Sequence, residues 1–455
     1  MPGDKCAMKD TKSVVDEKKS HFFIKKKYFC CIFATDNRKM IRLAVLKFLC
    51  LIAFLPVLAQ NEPSVQAEPL IEDSANFIRA YLMVAEPYYR YPQSSFGHGF
   101  LRMQSVPNNL DYCFSLESGN YEGLFDICLG NYPNRLVPVP TEEYIQTFTR
   151  EGRIVTGYPL NIRLEEGQRL WKLLDETATA GESPYHDYFH HGCSLEVIRM
   201  LERSLDGRIV FGDSAKQFDG TFFTLGNRLL PPNSWMHIPP SMLSTTEGTD
   251  RQLPDIEKAT YPIAIPTLFA DATIEAPDGT HRPFFKPGVK LEEFRPQRRY
   301  VNTDAPIIVW FSLLFAVTAV FCALGLLVKQ RWAQCLAWGW AAVLFVFYCL
   351  LAMVMTCICL LSSLPTIHGW NWNLLVYNLI PLGVWIFSLF RPFSESLWRR
   401  IHLGYALWLC AFMVVMLAWG GHQIMEQYLL VGTFAVYCFY RWMKPSQVLS
   451  TQPVG

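Results

Sequence analysis

Charge is nearly absent from the last third of this 455-residue chain. Between Pro306 and Tyr440 the charged residues are Lys329, Arg331, Arg391, Glu395, Arg399, Arg400 and Glu426. That is too sparse for a water-facing globular surface. It also argues against a proton-coupled pump or transporter, which needs ionisable relays inside its spans. The chain as a whole has no surplus of either sign: 41 Lys and Arg against 40 Asp and Glu leave +1. This balance gives no support for nucleic acid as a partner, because binding a phosphate backbone requires a basic face that releases counterions. Also missing is an H-E-x-x-H pattern or another acidic metal motif beside His186, His190 and His191, so neither a metal nor a cofactor is expected. No internal repeat is visible.

What the chain has instead is two different materials joined end to end. Residues 1–39 are rich in Lys, Asp and Ser without an apolar period and form a doubtful N-terminal extension. Met40 opens another pattern: Arg42, an apolar run from Leu43 to Leu58 broken by Lys47, and the small-residue site Val57-Leu58-Ala59. That order reads as a secretory signal over 40–59, with an uncleaved membrane anchor as the alternative. Near the other end, within 306–440, five apolar segments lie at roughly 306–328, 334–361, 373–390, 401–420 and 424–440. Each is long enough to cross about 30 Å of hydrocarbon. Lys329 and Arg331 follow the first, Arg391, Arg399 and Arg400 the third, Arg441 and Lys444 the fifth; the connections after the second and fourth hold no Lys or Arg. The positive-inside rule then places the tail, 441–455, in the cytoplasm and residues 60–305 outside it, the side to which the signal also points. The bilayer is therefore an expected partner.

The translocated part divides into a domain over 60–275 and a polar, Pro-containing linker over 276–305. Within the domain, Ala75–Ala85 reads as a strand or short helix. Gly97–Gln104 and Asp111–Glu117 alternate like paired strands about the turn Val106-Pro107-Asn108-Asn109. Arg153–Leu164 reads as a further strand. Glu165–Ala178 has helical spacing in Leu170, Trp171, Leu173 and Leu174, and Ser194–Leu205 is a second helix. The expected architecture is an α+β domain followed by an all-α bundle of five membrane helices.

Of 14 cysteines, the domain holds Cys113, Cys128 and Cys193. In an oxidising compartment an odd number leaves a thiol unpaired. Cys113 and Cys128 are close enough in sequence to pair, which leaves Cys193 at the start of a helix. There the unpaired N–H groups and the helix dipole favour a thiolate; the alternative is a buried, inert thiol. A working thiol needs an imidazole to take its proton and a polar group to orient that imidazole. His98 on one strand, with Asp111 or Ser115 on the next, supplies candidates. Strand neighbours lie about 5 Å apart and share a face. Backbone N–H groups at the helix start would serve an oxyanion.

The stretch Ser94-Ser95-Phe96-Gly97-His98-Gly99-Phe100-Leu101-Arg102 resembles the F-G-H-x-x-x-R signature of the Lnb N-terminal periplasmic domain family. Glu151-Gly152-Arg153-Ile154-Val155, Tyr185–Cys193 and Ile238-Pro239-Pro240-Ser241-Met242-Leu243 resemble later family segments in the same order. Asn371-Trp372-Asn373-Leu374-Leu375 resembles the membrane part of many bacterial members. The chain departs from the family at Gly192, where Asn is usual, and at Cys113 and Ser115, where an Asn-Tyr-Gly run is usual. The resemblance implies a bacterial inner-membrane protein with its N-terminal domain in the periplasm. His before Cys in sequence resembles circularly permuted papain-like thiol hydrolases and acyltransferases. Two functions follow as expectations: a thiol hydrolase or acyltransferase acting on envelope amide or ester bonds, or a non-catalytic accessory, maturation or docking module for an envelope or secreted protein partner. His368, Trp370, Asn371 and Asn373 read as an interfacial anchor or a polar mouth. The cysteines of the apolar segments read as small membrane-core residues.

Overall fold

The computed structural model describes residues 77–118, 128–130, 134–181, 187, 189–232, 234–244, 246–303, 305–419 and 424–444. The expected signal, the N-terminal extension, His186 and most of the C-terminal tail lie outside these residues.

Six strands form the main sheet: β1 Arg79–Ala85, β2 His98–Ser105, β3 Leu110–Ser118, β4 Asn134–Pro140, β5 Val155–Pro159 and, far along the chain, Glu292–Phe294. Between the last two lie β6 Arg208–Val210, β7 Thr273–Glu275 and β8 His281–Pro283, which make a separate three-stranded sheet, so Glu292–Phe294 is β9. The main sheet runs β4-β3-β2-β1-β5-β9 with every neighbour antiparallel. The residues expected to be a linker thus contribute β8 and the edge strand β9, and the domain is closed by chain that composition alone assigned to a tether.

Because side chains alternate across a strand, the sheet has two apolar faces. Leu82, Val84, Leu101, Met103, Phe114 and Leu116 point one way. They are covered by α2 Leu164–Ala180, through Leu170, Trp171 and Leu174, and by α3 Cys193–Ser204, through Val197, Ile198 and Leu201. Tyr81, Met83, Phe100 and Cys113 point the other way. They meet α1 Thr141–Arg150, whose Tyr144, Ile145 and Phe148 recur at helical spacing and are buried together. Each such large apolar side chain contributes about 1.5–3 kcal/mol by leaving water. Beyond α3 come α4 Phe222–Leu229 and α5 Ile238–Leu243.

The remaining long helices are α6 Ile307–Leu327, α7 Arg331–Leu361, α8 Ile380–Phe390, α9 Glu395–Trp419 and α10 Met425–Met443. Among the described residues, four stretches are long and apolar enough to cross a membrane: Ile307–Leu327, Arg331–Leu361, Trp372–Phe390 and Glu395–Ala418. The fifth expected span is helical but carries Glu426, Gln427 and Arg441, and falls short of that apolarity. It packs against α6, α7 and α9, burying Leu430, Val431, Phe434 and Cys438, so fewer of its side chains face outward. Cys322, Cys349, Cys359 and Cys438 are buried as expected, whereas Cys335 is exposed.

The connection between α7 and α8 is joined to the sheet domain. Ser362 Oγ donates to the Cys128 carbonyl at 2.6 Å, and the Ser363 N–H to the Leu129 carbonyl at 2.9 Å. Asn371 and Asn373 do not sit at an interface with solvent. Both are buried, donating to the Met242 carbonyl at 2.8 and 3.2 Å, and Asn373 also to that of Ser241 at 2.9 Å. Met242 of α5 enters the same apolar cluster as Tyr348, Tyr377 and Phe434.

Candidate active site

Two glycines place His98. Gly97 holds φ at +93°, a left-handed value that L side chains avoid, and a Cβ there would stand 2.5 Å from the Ala85 carbonyl oxygen. Gly99 lets the first turn of α3 descend onto β2; a Cβ there would meet Ser194 Cβ at 2.6 Å. Ser194 Oγ then donates to the Ala259 carbonyl at 2.6 Å, fixing that turn from below. The outcome is that Cys193, the first residue of α3, stands beside the first residue of β2. Its Sγ lies 3.2 Å from His98 Nδ1.

The other ring nitrogen is held by three groups. His98 Nε2 lies 2.7 Å from Ser115 Oγ, 3.1 Å from the Tyr144 hydroxyl and 3.7 Å from Glu117 Oε1. The Tyr144 hydroxyl is also 2.8 Å from Ser115 Oγ and donates a short hydrogen bond to Glu117. If the phenol proton goes to the carboxylate, Ser115 donates its own proton to the phenol oxygen and accepts from His98. The carboxylate therefore acts on the imidazole through a tyrosine and a serine. Phe100 and Phe148 lie stacked with the ring, each 5.8 Å away between centroids.

Burial opposes charge on both members of the Cys–His pair, but each is the other's counter-ion. Against burial, the His98 charge and hydrogen bond, with the Gly99 N–H, hold the Cys193 thiol below the ordinary thiol value. Against burial and the Arg153 charge, the Cys193 thiolate and then Glu117 hold His98 above the ordinary histidine value. Burial, then Glu117, keeps Tyr144 protonated far above the usual range of a phenol. The other two thiols of the domain go the opposite way. Burial pushes Cys113 up to about 12 and also raises Cys128.

Ser115 is the predicted orienting group that reaches the ring; Asp111 does not. It lies four residues along β3 from Ser115, about 13 Å at the rise of a strand. There it receives Arg102 Nε at 2.7 Å and Nη2 at 2.6 Å, Gln104 Nε2 at 3.2 Å and the Thr141 hydroxyl at 2.5 Å. Arg102 also bonds Glu292 of β9, so the arginine of the F-G-H-x-x-x-R motif ties the edge strand to the sheet. The expected Cys113–Cys128 disulfide is absent. Both thiols are free, because Cys113 faces α1, 3.5 Å from Thr141 Oγ1, while Cys128 lies where Ser362 joins the domain. Of the histidines weighed as metal ligands, His190 Nδ1 meets Asp187 at 3.3 Å and His191 Nδ1 meets Glu196 at 3.0 Å.

Sequence reasoning passed over Tyr144, Glu117 and Arg153. Tyr144 belongs to a helix that was not foreseen, although Tyr144, Ile145 and Phe148 carry a helical stripe. Glu117 ends the strand that was foreseen. Arg153 is buried at 2% exposure, with Nε 2.6 Å from the Glu86 carbonyl, Nη1 3.0 Å from Glu151 and its guanidinium over the Phe148 ring.

A cavity of about 120 Å³ lies between the domain and the α7–α8 connection; Cys193, His98, Ser115, Tyr144 and Glu117 are not part of its lining. Its lining is almost wholly apolar. It includes Phe96, two residues before His98, Phe189, four before Cys193, and Leu364 and Ile367 from the connection.

The arrangement defines a class: a membrane-attached α+β domain with a paired, charge-prone Cys–His couple at the start of an interior strand of an antiparallel sheet. Residues 69–219 match the family model of the Lnb N-terminal periplasmic domain, the family that the motifs resemble. The match takes in Cys193, His98, Ser115, Glu117, Tyr144 and Arg153. With the membrane-length helices, it describes a membrane protein with a periplasmic N-terminal domain. No curated protein and no solved structure matches the chain.

Proposed function

We propose that the protein is a membrane-tethered periplasmic thiol hydrolase or acyltransferase that acts on ester or amide bonds of the cell envelope. One observation carries this reading. Of the domain's three thiols, the one beside an imidazole, at 3.2 Å, is the one held below the ordinary value. A docking module has no need of that difference.

The chemistry follows the contacts. The Cys193 thiolate attacks an acyl carbonyl, forming a carbon–sulfur bond. The N–H groups at the open start of α3, where Gly192 offers no capping side chain, face the developing oxyanion. As the tetrahedral intermediate collapses, the carbon–oxygen or carbon–nitrogen bond to the leaving group breaks. The departing alkoxide or amine takes the proton from His98 Nδ1. A thioester on Cys193 remains. His98, now neutral, removes a proton from water or from an acceptor amine or hydroxyl, whose attack releases the acyl group and restores the thiol. The apolar cavity between the domain and the α7–α8 connection suits an acyl chain, which favours a lipid ester as donor.

The same reading places the C-terminal tail in the cytoplasm, takes α10 as a fifth span and treats the domain as circularly permuted papain-like, since His98 precedes Cys193. Purified full-length protein is incubated with phospholipid vesicles and the release of lysophospholipid is followed. Wild type should release it and Cys193→Ala should not. Equal release by both would overturn the proposal.

A further inference from the structure

We propose that Asp187 is a positioning residue through which the membrane region sets the place of Cys193, with Thr366 as its partner on the membrane side. The inference rests on the reading of Cys193 as a nucleophile and adds a device that this reading does not require.

Asp187 precedes Cys193 by six residues and is 1% exposed. Its Oδ1 accepts from the Phe189 N–H at 2.9 Å and the His190 N–H at 3.4 Å, and its Oδ2 meets His190 Nδ1 at 3.3 Å. Its carbonyl accepts from the His191 N–H at 3.0 Å. These bonds hold residues 189–191 in a turn that leads to Gly192, the residue before α3. The turn is also clamped to α3 itself. Arg199 Nη1 donates to the His190 carbonyl at 2.8 Å, and His191 Nδ1 meets Glu196 at 3.0 Å. Turn and helix start therefore move as one piece.

The carboxylate has a further contact outside that piece. The Thr366 hydroxyl, in the connection between α7 and α8, lies 3.4 Å from Oδ1 and 3.3 Å from Oδ2. Thr366 is itself 2% exposed. The chain on either side of it is fixed to the domain, at Ser362 and Ser363 before it and at Asn371 and Asn373 after it. A buried carboxylate must be satisfied by every donor within reach. The turn carrying Cys193 is thus referenced to a point that the membrane helices define. A sulfur at 3.2 Å from its imidazole tolerates little displacement before the contact is lost. A role in stability alone would leave the thiol of the folded protein unchanged. A positioning role would not.

The test is the alkylation rate of Cys193 by iodoacetamide as a function of pH, read on the Cys193 peptide by mass spectrometry. It uses full-length protein in detergent and compares wild type with Thr366→Val, Thr366→Ser and Asp187→Asn. Thr366→Val and Asp187→Asn should raise the pH midpoint by about one unit and slow alkylation near neutral pH on the order of tenfold. Thr366→Ser should match wild type. A depressed midpoint in wild type that both Thr366→Val and Asp187→Asn retain would overturn the positioning role. An ordinary thiol midpoint in wild type would instead overturn the nucleophile on which it rests.

Discussion

Tyr144→Phe removes one oxygen from the network behind His98 and leaves the ring. The ring packs 4.9 Å from Phe100 and 5.0 Å from Phe148 between centroids, so the substitution opens no cavity. What is lost is the bridge from Glu117 to the imidazole. Ser115 remains at 2.7 Å from Nε2, but its hydroxyl loses the partner at 2.8 Å that orients it. A hydrogen bond to a charged group contributes about 1.5–3 kcal/mol. Ser115 retains part of this, so the imidazolium form of His98 loses about 1.5 kcal/mol, close to tenfold in rate. Glu117 is half exposed and exchanges the phenol for water at small cost, so thermal stability should change by less than about 1 kcal/mol. The assay pairs turnover on phospholipid vesicles with the melting temperature. A tenfold lower kcat in a protein that melts as wild type supports the network. An unchanged kcat across the pH range would show that Tyr144 does not hold the imidazole.

The titrations fix the shape of the pH profile. Activity should rise as pH climbs through the lowered Cys193 value, stay high while His98 remains an imidazolium above the ordinary histidine range, and fall as His98 deprotonates. A profile that only begins to rise near the ordinary thiol value would contradict the pair. Gly99→Ala should force α3 away from β2, costing about 1–3 kcal/mol by overpacking and a larger share of turnover, checked by melting and kinetics together. Asp111→Ala should lower stability by about 1–3 kcal/mol, because it strips a partner from buried Arg102, while turnover per folded molecule stays near wild type. Phe148→Ala should destabilise by about 3–5 kcal/mol in chemical denaturation, since it empties a core position on the face of α1.

Much of this fold is legible in the sequence. The β2–β3 hairpin follows from alternation about Val106–Asn109, α2 and α3 from helical spacing, and Cys193 at a helix start from its place immediately before the helical stretch that opens at Ser194. What the sequence concealed has physical reasons. Asp111 and Ser115 share a face of β3, so alternation alone cannot say which comes near His98; the register sets Asp111 opposite Gln104, far from the ring, and carries Ser115 toward the His98 end of β2. α1 begins directly after Pro140, where β4 ends, leaving no loop to mark it. The linker residues became strands because β5 exposes an edge that Glu292–Phe294 covers, a long-range pairing with no local signature. Asn371 and Asn373 look like interfacial residues until the carbonyls of Ser241 and Met242 arrive from a segment 130 or so positions away.

The central claim is that Cys193 carries an acyl group during turnover. Full-length protein is incubated with phospholipid vesicles and quenched in acid, and the Cys193 peptide is weighed by mass spectrometry. The account predicts a fatty-acyl mass on Cys193 that neutral hydroxylamine removes, as it does a thioester, and that His98→Ala does not accumulate. A Cys193 peptide without added mass in wild-type protein that is turning over lipid would contradict it.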